Sequence, residues 1–104
     1  MNKLTIDALK SIWTSIDSFG QDTGYTLFLT SDGKNATLHY SDSRICKEIA
    51  NGSISIVEVE NDVYVLSIGD KFFYIRLYIP DDKMPILDLN IPKIGYVTFM
   101  RKRN

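Results

Sequence analysis

The sequence predicts an α+β domain in which an N-terminal amphipathic helix packs on a mainly antiparallel sheet of about six to seven strands. Three observations carry this. An apolar stripe at helical spacing opens the chain, tight-turn signals stand at Asn61-Asp62 and Gly69-Asp70, and apolar alternation flanks both turns.

The helix comes first, over about residues 5–19. Ile6, Leu9, Ile12, Trp13, Ile16 and Phe19 recur three and four residues apart, which places them on one helical face. Thr5 can cap its start, Asp7 suits its positive N-terminal end, and Gly20 can stop it in a left-handed turn. Tyr25 to Thr30 and Ala36 to Tyr40 then read as strands around Asp32-Gly33, a common hairpin turn. Between Ser41 and Gly52, Ile45 with Ile49 and Cys46 with Ala50 are four apart. That spacing predicts a short second helix near 43–50, ended by Asn51-Gly52.

The next two turns each fit a two-residue hairpin loop, which sets the register of strands 53–60, 63–68 and 71–79. Glu60 then faces Val63, Val59 faces Tyr64, Glu58 faces Val65 and Val57 faces Leu66. Across the second turn, Leu66 meets Phe73, Val65 meets Tyr74 and Tyr64 meets Ile75. One sheet face collects Val57, Val59, Tyr64, Leu66, Ile68, Phe73, Ile75, Leu77 and Ile79, ready for the helix to cover. The other collects Ile56, Glu58, Glu60, Val63, Val65, Phe72, Tyr74, Arg76 and Tyr78. After Pro80 and the loop through Pro85, Ile86 to Ile91 and Gly95 to Met100 form two more strands around Pro92-Lys93. The flanking prolines predict that the first of these is an edge strand.

The 104 residues suit a single domain, 1–104, since a chain of this size buries roughly 65% of its unfolded surface. Asp7 and Lys10 interrupt the only apolar segment near the start, so a secretory signal is not expected, and no apolar run is long enough to span a bilayer. The lone Cys46 cannot form an intramolecular disulfide, which suits a reducing, cytoplasmic setting. Formal charge is −1, but Arg101, Lys102 and Arg103 hold three of the twelve basic residues. Removing them leaves nine basic against thirteen acidic groups, so an acidic body carries a basic tail, 101–104, that is expected to fray. An acidic body matches a basic protein better than it matches nucleic acid.

Catalytic constellations are not expected. His39 and Cys46 have no orienting third group, and read as a strand histidine and a buried cysteine acting as a small apolar residue. A zinc site needs more such ligands, and Asp81-Asp82 reads as a turn rather than an acid/base pair. The six glycines are scattered singly, with no phosphate-binding loop. No metal or cofactor is therefore expected. The stretch Lys71 to Tyr78 is similar to the aromatic strand of an RNA-recognition motif, but Phe72 and Tyr74 stand where that pattern needs small residues.

The candidate partner-binding residues lie on the mixed face. Glu58 and Glu60, with Asp62 beyond them in the turn, form an acidic column, and Tyr74, Arg76 and Tyr78 are residue types enriched at interface hot spots. Either this face is an exposed binding surface, or a second layer buries it.

The Thr5–Phe19 helix, the meander around Asn61-Asp62 and Gly69-Asp70, and the Glu58, Glu60, Asp62 column together resemble bacterial immunity proteins of contact-dependent inhibition. The resemblance implies an antitoxin, not an enzyme, that binds a cognate basic, nuclease-type toxin domain and occludes its active site. A phage- or plasmid-encoded inhibitor, or a small adaptor subunit of a larger complex, fits the same features. A small hydrolase or nuclease using His39 is the enzymatic alternative.

Overall fold

The computed structural model describes residues 9–61, 63–78 and 85–102. Its elements are eight strands: β1 Ile12–Ile16, β2 Asp22–Leu29, β3 Asn35–Ser41, β4 Cys46–Glu60, β5 Val63–Ile68, β6 Lys71–Tyr78, β7 Ile86–Ile91 and β8 Gly95–Arg101. Each is antiparallel to the next, and β8 pairs with β1 to close the ring. The architecture is an up-and-down β-barrel, and the α+β expectation is corrected: no helical element occurs among the described residues.

The expected N-terminal helix fails for a physical reason. Ile12, Thr14 and Ile16 are β-branched and flank an aromatic, so this segment fits a pleated strand better than its helical spacing suggests. Burial follows period two, with Trp13 and Ser15 inside, while Phe19 is exposed in the turn that follows. Thr5, Ile6 and Asp7 lie outside the described residues. Ser15 is the one buried polar side chain of the described core. It sits where the β1–β2 register shifts, and its hydroxyl accepts hydrogen bonds from Thr23 Oγ1 at 2.6 Å and Tyr25 N–H at 2.8 Å. These bonds satisfy groups that the interrupted ladder leaves unpaired.

The second expected helix, near 43–50, is also a strand. Asp42 organises the turn before it, accepting from the Arg44 and Ile45 amides at 2.7 and 2.9 Å, and β4 starts at Cys46. Cys46 is exposed, not buried. β7 is no edge strand, since it pairs with both β6 and β8. Arg101, assigned above to a frayed tail, is the last residue of β8 and pairs with Trp13.

The barrel is filled. Trp13, Leu27, Leu38, Leu66, Ile75, Leu87, Leu89 and Phe99 are fully buried along its axis, as expected for eight strands, which leave room for side chains or one small ligand.

The β5–β6 register agrees with the expected pairing, Tyr64 with Ile75 through Ser67 with Phe72. In β4–β5 it does not. Glu60 faces Val63 as expected, but a bulge follows, and Glu58 faces Tyr64, Val57 faces Val65 and Ile56 faces Leu66. One extra residue at the bulge reverses the faces of everything before it. Ile54 and Ile56 therefore pack against the core, while Val57 and Val59 are 60% and 50% exposed.

β4 also changes neighbours along its length. Cys46 to Ser53 pair with β3, and Ile54 to Glu60 pair with β5. The β3–β4 hairpin thus rises past the end of the β5–β6 hairpin, whose turn is anchored by the Gly69 N–H donating to the Ser53 carbonyl at 2.8 Å. Two glycines permit that approach: a Cβ on Gly52 would lie 2.8 Å from the Gly69 Cα.

Candidate functional site

Strand direction sorts the connections between two ends of the barrel. The turns after β1, β3, β5 and β7 gather at one end, here called the mouth. Because β4 overshoots β5 there, the wall has a gap, and a cleft of about 720 Å³ occupies it.

The floor and back wall of the cleft are apolar. Phe73 and Ile91 reach up from the core, with the half-buried Ile49 beside them. Tyr25 and Tyr40 face each other across β2 and β3 at the last inward position, their ring centroids 4.8 Å apart. Ile45 and Ile94, 53% and 60% exposed, stand at the opening. A second recess of about 530 Å³ shares Tyr25 and Ile94 with the first, so these two side chains form a partition.

The rim carries cations. Lys47 faces Tyr40 and Lys71 faces Ile68, both inward register positions at the tops of β4 and β6. Lys93 lines the same cleft from the β7–β8 turn. Its φ of 71° is the only positive value at a non-glycine residue among those described. Pro92 before it and a left-handed residue second match a type II turn, where glycine is the easy choice.

Among the acidic residues near the cleft are Glu48, Asp42 and Asp70, the last in the turn before Lys71. Glu48 lines the cleft but faces His39 across β3, on the outward side of the strands. Asp42 is engaged by its turn: it accepts from the Tyr40 hydroxyl at 3.0 Å as well as from two amides. Those bonds hold its carboxyl below the usual 3.8, the amides contributing most. The Tyr40 hydroxyl is raised above 10.0, chiefly because it donates to that carboxylate.

The residues expected to bind a partner are placed differently. Tyr74 is exposed on the outer wall in a row with Val65 and Val57, and Phe72 beside it is 67% exposed. Among the described residues, nothing covers this face. Arg76 lies over the Tyr96 ring, 4.8 Å from its centroid, and pairs with Asp88. Tyr78 ends β6 opposite Ile86, its side chain outside the description, and Asp62 lies outside the described residues. The acidic column does not form. The bulge sets Glu58 opposite the inward Tyr64 and Glu60 opposite Val63, so the two carboxylates belong to opposite faces.

His39 is flanked by Thr26 and Glu48 in the sheet. No group of three His, Cys, Asp or Glu side chains able to hold a metal ion occurs among the described residues. No described helix is long and apolar enough to cross a membrane. The mouth residues were not singled out from the sequence, because they come from strands far apart in the chain. The available signal was local: Lys71 opens the alternating apolar strand β6 at an inward position, and Lys47 is the second residue of β4.

Compared with protein-family models, curated proteins and solved structures, the chain matches none.

Proposed function

We propose that the protein is a binding barrel that holds a small amphipathic ligand in the cleft at its mouth. The observation that carries this reading is the cleft itself. At about 720 Å³, walled by Tyr25, Tyr40 and Ile49 and floored by Phe73, it falls within the roughly 300–1,000 Å³ of small-molecule sites. Mouths of β-barrels are a favoured place for such sites. The rest of the interior is packed with side chains, which confines the ligand to the top.

Titration with 1-decanol, followed by amide and methyl NMR, tests the reading. Saturable shifts centred on Ile45, Ile49, Phe73 and Ile94 are expected, and Ile49→Trp, which fills the cleft, should abolish them. Shifts that are absent, or that persist in Ile49→Trp, would overturn it.

A second reading, a toxin-immunity or other inhibitor protein, is favoured by the exposure of Phe72 and Tyr74 on one wall with Arg76 stacked on Tyr96. In this reading that wall meets the toxin domain, and Tyr74→Ala weakens the complex without altering the barrel's melting temperature. Undiminished binding by Tyr74→Ala and Phe72→Ala would remove the wall from the interface.

A further inference from the structure

We infer that the cleft selects an anionic amphipath, a long-chain monocarboxylate, with its head group at a lysine rim and its tail on Phe73 and Ile91. The inference rests on the cleft being a ligand site and adds the chemical class of the ligand.

Charge is the first argument. The chain as a whole is net −1, yet three lysines line this one cleft against a single carboxylate, and that carboxylate, Glu48, sits at an outward register position. Of the acids in the neighbouring turns, Asp70 precedes Lys71 without lining the cleft, and Asp42 already accepts three hydrogen bonds from its own turn. The lining of this cleft therefore carries net positive charge on a chain that is acidic overall.

Placement is the second. Inward positions of a small barrel normally carry apolar side chains, as Leu38, Leu66 and Phe73 do here. Lys47 and Lys71 occupy the first inward positions above that core. At such positions a lysine can lay its methylene stem along the apolar wall and keep its ammonium in water. Lys93 adopts a left-handed backbone that costs an ordinary residue stability, in a turn that glycine would satisfy. Three cations above an apolar floor match a ligand with one charged and one apolar end.

The test compares three ligands of one tail length, namely decanoate, 1-decanol and decyltrimethylammonium, by calorimetric and NMR titration. Decanoate should bind about tenfold more tightly than decanol at low ionic strength, the sum expected of three exposed charge contacts. Raising salt from about 0.05 M to about 0.5 M should remove most of that advantage and leave decanol unchanged. The triple variant Lys47→Gln, Lys71→Gln, Lys93→Gln should bind decanoate no better than decanol. Lys93→Gly alone should raise the melting temperature by relieving the turn, yet weaken decanoate. Equal affinity for decanoate and decanol in the unaltered protein, or preference for the cation, overturns the anion assignment and leaves the cleft as a ligand site. Binding of none of the three overturns the cleft reading as well.

Discussion

The guanidinium of Arg101 lies 5.0 Å from the centre of the Trp13 ring, and the two residues face each other across β8 and β1. Trp13 is fully buried, and its indole N–H donates to the Leu9 carbonyl at 2.9 Å. This contact sits at the seam that closes the barrel. Arg101→Ala should therefore cost about 1–2 kcal/mol, from a desolvated cation–π contact and lost stem packing, in urea unfolding. Trp13→Ala should cost about 3–5 kcal/mol. A loss below about 0.5 kcal/mol for Arg101→Ala would show that the seam does not depend on this pair.

The bulge near Val59 makes two adjacent residues unequal. Val57→Asp, at an exposed outward position, should change stability by less than about 0.5 kcal/mol. Ile56→Asp puts a carboxylate where the wild-type side chain packs on the core, and should cost about 3 kcal/mol or more. The reverse order in thermal unfolding would restore the unbulged register.

Gly69 and Gly20 both have positive φ, 63° and 79°, but different surroundings. A Cβ on Gly69 would lie 2.7 Å from the Asn51 carbonyl oxygen, whereas one on Gly20 meets nothing within 4 Å. Gly20→Ala should cost about 1 kcal/mol from backbone strain alone. Gly69→Ala should cost about 2 kcal/mol or more, and should shift the amides of Asn51 and Ser53. Equal costs would mean that β4 and the β5–β6 turn do not touch.

The Tyr40–Asp42 pair gives the mouth a pH window with a sign at each end. The folded carboxyl of Asp42 titrates below 3.8, so its stabilisation is present above that value and is lost as pH falls through the folded pKa. Tyr40 is raised above 10.0, so its contribution is present below 10.0 and is lost as pH rises through the folded pKa. Protection of the Arg44 and Ile45 amides from hydrogen exchange should fall at both extremes. In Asp42→Asn the dependence should flatten; unaltered profiles would detach the pair from the turn.

Much of the strand content is legible in the sequence, because β5, β6 and β8 alternate cleanly and the turns at Asn61-Asp62 and Gly69-Asp70 are short. Two features mislead. Ile12, Trp13 and Ile16 satisfy helical and strand spacing alike, and only tertiary pairing with β2 and β8 decides between them. In β4 the apolar residues change phase between Ile56 and Val57, whereas the register itself shifts later, between Glu58 and Glu60. A strict period of two reads past it. Closure of the ring was not legible, since Trp13 and Arg101 meet from opposite ends of the chain. The cleft was not either, because it exists only once β4 has exchanged one neighbour for the other.

The seam has a consequence for the order of the polypeptide itself. The Lys102 N–H donates to the Ile12 carbonyl at 2.7 Å, so the start of β1 and the end of β8 are as close as any two strands joined by a hairpin. The eight strands then form a circle in which this seam is the one junction without a connecting hairpin. Joining the seam with a short linker and reopening the circle in the exposed Ser31-Asp32 turn would preserve every strand pair. Where the cut falls decides which pair must find its partner across the longest stretch of chain, and so which seam is slowest to seal.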